Sequence, residues 1–236
     1  QKIKVFDLRT GSRREIASGW DASVEEICWS PDGKKLFCTA QYRGRKQVYS
    51  VDLDNASAGT KAEPSTLVAE HASGGLSLIA GRRLVFSQSS LCAPAEVFTC
   101  LADGSALCAL SSANASQLND VRMGTVSEMV CNGAKNEPVQ SWLVCPAGFD
   151  SKLVYPMVVI VHGGPQGAIL DSFGYRWNPQ IYAGAGFVVL CVNFHGVCMC
   201  CHCAILFSQA TAALKSAGCF LFSCFESFLS CKMTFS

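Results

Sequence analysis

One stretch limits what this chain can fold into: Tyr155–Gly167, reading YPMVVIVHGGPQG. Five uncharged residues, Met157 to Val161, stop abruptly at His162-Gly163-Gly164-Pro165. A short run rich in β-branched residues and ended by glycines reads as a buried parallel strand feeding a tight loop. In open α/β sheets, loops leaving the C-terminal ends of such strands are where ligands and chemistry sit. The residues that follow fit the same scheme. Asn178 offers an N-cap oxygen and Pro179 suits the first helical position. Ile181, Tyr182 and Ala185 give one apolar face, and Gly186 suits the C′ position. Phe187–Val192 then reads as a second buried strand. Strand, loop, helix and strand make one right-handed βαβ unit of a parallel sheet.

The chain before this unit has a different rhythm. Ile3–Gly11 and Gln47–Leu53 carry two copies of one strand pattern, and Tyr49, Val51 and Leu53 alternate with Val48, Ser50 and Asp52. Between them, Trp29-Ser30-Pro31-Asp32-Gly33 predicts a turn, because proline presets φ and glycine accepts positive φ. The copies lie about 44 residues apart, inside the roughly 40–50-residue period of a β-propeller blade. Further strands are predicted at Arg83–Ser87, Glu96–Leu101 and Ala106–Leu110, with Asp103-Gly104 as a hairpin turn. Residues 54–75 are polar and read as an inter-strand loop. The strands up to about residue 145 suffice for some three blades, where a closed propeller has at least about four. The expected fold is therefore a partial, all-β propeller over 1–145; over 146–196 the βαβ unit with His162-Gly163-Gly164 resembles the truncated start of an α/β-hydrolase domain.

Composition narrows the function. Half the residues are hydrophobic, 16% are charged and the net charge is +1. That supports a buried core and argues against disorder. The basic residues are scattered, so no nucleic-acid footprint is expected. No signal peptide is read at Gln1–Lys4, and the compartment stays open between cytoplasmic and secreted. Of fifteen cysteines, Cys28, Cys38, Cys92, Cys100, Cys108, Cys131, Cys145 and Cys191 stand isolated and read as buried free thiols. The remaining seven crowd into Val197–Ser236, whose charged residues are Lys215, Glu226 and Lys232 alone.

From about Leu84 onward a family resemblance becomes specific. It is carried by Ser89-Ser90 with Pro94–Phe98, Leu118-Asn119-Asp120, Glu137–Leu143 and Pro146–Asp150. It continues through His162–Gly167, Tyr175–Gln180, Ala185–Leu190 and Val192–Gly196. Their order and spacing resemble the propeller-to-hydrolase crossing of the prolyl oligopeptidase family of serine peptidases (peptidase S9), in its dipeptidyl-peptidase 5-like and acylaminoacyl-peptidase-like branch. The match covers roughly 84–196 well and 1–83 by blade pattern only. It implies a hydrolase acting on short peptides through an acyl-enzyme, with no cofactor. It also implies that His162-Gly163-Gly164 is part of an oxyanion loop, whose backbone N–H groups help hold developing negative charge.

The resemblance stops at Gly196. The family's nucleophile elbow, Gly-x-Ser-x-Gly, occurs nowhere in the 236 residues. None of His71, His162, His195 and His202 stands in the context of the family's catalytic histidine. No catalytic nucleophile, acid or base is carried over, and this chain, as written, is expected to be inactive as a peptidase. The alternative is a non-catalytic β-propeller interaction protein or pseudoenzyme. The Cys-rich tail, 197–236, is expected not to be native family sequence. A metal site in Cys198–Cys203 fits zinc spacing poorly, and no metal is expected. Val197–Leu214 lacks charge but holds His202, Ser208, Gln209 and Thr211, a marginal membrane candidate. Oligomeric state is left open.

Some residues invite a sharper reading. Glu25-Glu26 resembles the acidic pair that binds a substrate's free amino end in some dipeptidyl peptidases, but its place on an ordinary blade strand predicts a solvated strand edge. Asp150 and Asp171 are expected in turns or caps. Asn114-Ala115-Ser116 and Asn55-Ala56-Ser57 fit the glycosylation sequon.

Overall fold

The computed structural model describes residues 2–53, 64–133, 136–163 and 167–193. These fall into two units: Gln1–Asn119 with Leu170–Phe173, and Asp120–Ile169 with the residues from Gly174 onward. Asn55, Gly164, His195, His202 and the whole of 197–236 lie outside the described residues. No helix among the described residues is long and apolar enough to cross a membrane.

The first unit is built of hairpins. Strands β1 (Ile3–Phe6) and β2 (Arg13–Ile16) form a two-stranded sheet. Four strands follow as an antiparallel meander: β3 (Val24–Trp29), β4 (Lys35–Tyr42), β5 (Arg45–Asp52) and β6 (Ser65–Val68). A second meander comprises β7 (Ala72–Ile79), β8 (Arg83–Ser90), β9 (Ala93–Leu101) and β10 (Cys108–Ala109). A single parallel bridge, Lys46↔Ala72, joins the two into one sheet. A short helix, α1 (Ala115–Leu118), ends this part of the chain.

The predicted turns are present. Gly33 has φ +69°, and Asp32 Oδ1 accepts the Ser30 hydroxyl at 2.6 Å and the Lys34 N–H at 3.0 Å. Gly104 has φ +87° and lies against Leu67, whose carbonyl oxygen an added Cβ would meet at 2.9 Å. The strand after that turn is shorter than expected: β10 is two residues, paired with Thr99 and Phe98.

Side-chain alternation explains why β4 is buried on both faces. Leu36, Cys38 and Ala40 pack with Ile3, Ile16, Tyr49 and Val51. Phe37 points the other way and packs with Val48, Val68, Leu84, Phe86 and Cys100. The first meander is thus sandwiched between the β1–β2 hairpin and the second meander, as a blade is between its neighbours.

The second unit is a four-stranded sheet of order β11-β12-β14-β13, from β11 (Thr125–Asn132), β12 (Pro138–Cys145), β13 (Met157–Val161) and β14 (Val188–Asn193). The β11–β12 and β12–β14 pairs are antiparallel, and β13–β14 is parallel. Between β13 and β14 lies α2 (Pro179–Gly184), capped as the sequence predicts. Asn178 Oδ1 accepts the Gln180 N–H at 2.9 Å, and Gly186 takes φ +90° just past the helix. The expected burial of Met157–Val161 does not hold. Met157 to Ile160 are half-buried and Val161 is 53% exposed, because β13 stands at the sheet margin with one neighbour among the described residues.

The eight described cysteines are free thiols. Cys38, Cys100, Cys131, Cys145 and Cys191 are buried as expected, Cys28 and Cys92 are half-buried, and Cys108 is exposed. Burial pushes the Cys38 and Cys191 thiols up to about 12, which keeps both protonated and unreactive.

Candidate functional site: the loop after β13

Parallel pairing fixes where the loop begins. Val161 stands beside Val192, so His162 leaves β13 level with Asn193, the last residue of β14. Both lie at the carboxyl ends of parallel strands, the edge where α/β sheets place ligands. His162 Nδ1 lies 2.9 Å from the Gly163 carbonyl oxygen. Gly163 is exposed, and a Cβ built on it would meet nothing within 4 Å. Glycine is required there neither by packing nor by positive φ; what it leaves is open space beside the backbone. Gly167 closes the loop, since its Cβ would stand 3.2 Å from the Gly163 carbonyl oxygen.

The far side of the loop is held at Ile169. Its N–H donates to Asn193 Oδ1 at 2.6 Å. Its carbonyl oxygen accepts from Asn193 Nδ2 at 3.0 Å and from the Trp142 indole N–H at 3.0 Å. Asn193 Nδ2 also donates to Gln140 Oε1 at 2.5 Å, across the β12–β14 register pair Gln140↔Asn193. Trp142 is buried in β12 beside Cys191, so its indole is fixed by packing. Three hydrogen bonds therefore converge on one residue of the loop's exit. The sequence reading missed this clamp. Its one visible signal is a polar residue, Asn193, ending an otherwise apolar strand.

A second polar fixture seats the helix. The Gln180 side chain accepts the Gly124 N–H at 2.7 Å and donates to the Gly124 carbonyl at 3.2 Å. Gly124 has no alternative residue: an added Cβ would meet the Cys145 carbonyl oxygen at 2.2 Å.

The other singled-out residues have structural roles. Asp150 Oδ1 accepts the Lys152 N–H at 2.9 Å, a turn role as expected. Glu25 and Glu26 are not a freely solvated edge. A β-bulge between Val24 and Glu26 puts both carboxylates on Lys46 Nζ, at 2.9 and 3.1 Å. Burial pulls the Lys46 pKa down, but hydrogen bonds and charge from Glu25 and Glu26 outweigh it and leave it above the ordinary lysine value. Glu26 Oε2 also accepts the Leu76 N–H at 2.8 Å, so the pair ties β3 to β5 and β7. Asn114 donates its Nδ2 to the Ala95 carbonyl and to Glu96, giving this sequon asparagine a packing role. Asp171 is neither a simple turn residue nor a cap, as described below.

Known proteins similar to this chain point one way. A probable dipeptidyl-peptidase 5 of Aspergillus clavatus is 30% identical over 188 residues, which cover 78% of this chain and 25% of that protein. A dipeptidyl-peptidase 5 of Trichophyton equinum is 31% identical over 182 residues, 76% of this chain and 24% of that protein. The chain thus spans about a quarter of the length of the curated relatives it matches. Among solved structures, the acylaminoacyl peptidase of Pyrococcus horikoshii matches with TM-score 0.62 and 21% identity, over 78% of this chain and 27% of that one. Dipeptidyl peptidase 4 of Porphyromonas gingivalis matches with TM-score 0.62 and 20% identity, over 94% and 33%. No protein-family model matches the sequence. By residue identity the chain is similar to the dipeptidyl-peptidase 5 proteins of the prolyl oligopeptidase (S9) family, and its fold is shared with the solved acylaminoacyl peptidase and dipeptidyl peptidase 4.

Proposed function

We propose that these residues are the propeller-to-hydrolase portion of a serine-type dipeptidyl- or oligopeptidase, a fold that hydrolyses short peptides through an acyl-enzyme. In this reading 1–145 supplies propeller blades, 146–196 begins the hydrolase domain, and 197–236 is not family sequence. His162, Gly163 and Gly164 form the oxyanion loop. The observation that carries the reading is the loop's placement: it leaves a parallel strand at the carboxyl edge of the sheet, with open space at Gly163 and its exit pinned by Asn193 and Trp142.

The chain itself does not hydrolyse peptides. An oxyanion donor is worth roughly 10²–10³ in rate, whereas loss of a triad serine or histidine costs on the order of 10⁶. The 236 residues hold no Gly-x-Ser-x-Gly, so they supply the loop with no family nucleophile. Treatment of the full chain with a serine-directed fluorophosphonate, beside an active serine peptidase as control, should leave it unlabelled. Stoichiometric labelling would overturn the inactive reading. Sequencing of the transcript across Gly196, with peptide mass spectrometry of the native protein, tests the rest: a message running from Gly196 into a Gly-x-Ser-x-Gly supports the peptidase reading. Native peptides from 197–236 with no such motif downstream would sink it.

A further inference from the structure

The proposed chemistry makes no use of Asp171, although it is a carboxylate whose side chain is only 9% exposed. It lies in Leu170–Phe173, the segment that clusters with the first unit. Three connections from one end of the blade-like sheet meet it. Its N–H donates to the Gly44 carbonyl at 2.6 Å, in the β4–β5 turn. Its Oδ1 accepts the N–H of buried Leu91 at 2.7 Å, in the β8–β9 turn. Its Oδ2 lies 2.6 Å from Nδ1 of His71, in the β6–β7 connection. Phe173 adds a weaker bond, N–H to Ser89 Oγ at 3.4 Å.

His71 is itself built into place. Its backbone is left-handed at φ +64°, an arrangement costing on the order of 1 kcal/mol for a non-glycine residue and kept only where the surroundings enforce it. The Lys46 N–H, donating to the His71 carbonyl at 3.0 Å, is one such constraint. The charged groups facing His71 besides Asp171 are Glu70 and Arg45, which pair with each other at 3.1 Å and so largely offset. Asp171 faces in addition the Cys92 thiol, whose pKa burial and the carboxylate both raise, leaving it neutral.

We propose that His71 and Asp171 form a proton-sensitive clasp: charged His71 holds the segment Leu170–Phe173 on the turns of the blade-like sheet, and neutral His71 loosens it. The hydrogen bond to Asp171 raises the His71 pKa above its ordinary 6.5, against the opposing effect of partial burial. A raised folded pKa means the charge contribution is complete below about 6.5 and is lost as pH rises through the folded value. Neutral His71 still donates one Nδ1–H, so the segment loosens rather than detaches. His71 is 45% exposed, and solvent screening limits the effect to roughly two- to fivefold in the clasp equilibrium.

Amide hydrogen exchange of the full chain tests this, followed by mass spectrometry at about pH 5.5 and about pH 8.5 and corrected for intrinsic exchange. Protection of peptides covering Leu170–Phe173 should fall two- to fivefold at the higher pH, while β9 stays unchanged. In His71→Gln, those peptides should show the lower protection at both pH values. Equal protection of the wild-type segment at the two pH values overturns the clasp, as does a His71→Gln profile identical to wild type. If β9 shows that His71→Gln is unfolded, the wild-type comparison alone decides.

Discussion

The two units solve the same problem, holding strands in register, by different means. In the first, β4 is buried on both faces, so Leu36, Phe37, Cys38 and Ala40 are enclosed by apolar neighbours. In the second, β13 is half-buried and the loop it feeds depends on three hydrogen bonds to Ile169. Apolar packing spreads stability over many contacts, while a polar clamp concentrates geometry in one side chain. Substitutions in the first unit should therefore be read in stability, and substitutions at the clamp chiefly in loop order.

The largest expected effect is in the blade-like core. Phe37 is 1% exposed and fills the space between the meanders. Phe37→Ala should cost about 3–5 kcal/mol in denaturant unfolding. Val159→Ala, which removes two carbons from half-buried β13 where Phe37→Ala removes six from a sealed core, should cost about 1 kcal/mol or less. Equal costs would show that β13 is as enclosed as β4 and would erase the contrast.

Asn193→Ala comes next. It removes both partners of Ile169 that Asn193 supplies and leaves Gln140 without its amide donor. About 1–3 kcal/mol of local stability should be lost. The Ile169 amide should exchange about tenfold faster or more, while the Phe37 amide is unchanged. Equal acceleration at both would show that Asn193 serves global stability rather than the loop.

How far the sequence exposes each region follows from the range of the interactions. Strand β13, helix α2 and strand β14 were legible because their signals are local: an apolar run, the Asn178-Pro179 cap and the Gly186 stop. The Pro31-Asp32-Gly33 turn was legible for the same reason. The exposure of β13 was not, since an apolar run does not say how many neighbours its strand will have. Glu25 and Glu26 were misread because regular alternation puts consecutive residues on opposite faces, and the bulge that brings both to Lys46 leaves no local mark. The clamp at Ile169 and the His71–Asp171 pair join residues 24 and 100 apart in the chain. No periodicity reports such pairs. Of the proposed oxyanion loop, sequence named His162, Gly163 and Gly164, and geometry added the residues that hold its exit.

A smaller, pH-gated effect is expected at Glu96. Its carboxylate accepts the Ser111 hydroxyl, the N–H groups of Ala113 and Asn114 and the Asn114 side chain. The Ser111 hydrogen bond, followed by the Asn114 N–H, lowers its pKa from 4.5 to about 2. A depressed folded pKa means this contribution is present above about 4.5 and disappears as pH falls towards about 2. Urea midpoints across that window should therefore fall more steeply for wild type than for Glu96→Gln. Parallel curves would show that the carboxylate contributes nothing.

The smallest effects sharpen the account of β4. Thr39 is fully buried, and its Oγ1 has no hydrogen-bond partner among the described residues. Thr99, equally enclosed, donates its hydroxyl to the Leu84 carbonyl at 2.8 Å and accepts from Arg83 Nε at 3.1 Å. Valine matches threonine in shape and removes only the hydroxyl. At Thr39 that relieves an unmet polar group, and Thr39→Val should be neutral or stabilising by about 1 kcal/mol. At Thr99 the same change strands the Leu84 carbonyl and Arg83, and should cost roughly 1–2 kcal/mol. The two variants should therefore shift the urea midpoint in opposite directions with unchanged slope. Equal destabilisation would mean the Thr39 hydroxyl has a partner after all, and that β4 is held by polar contacts as the loop is, rather than by apolar packing.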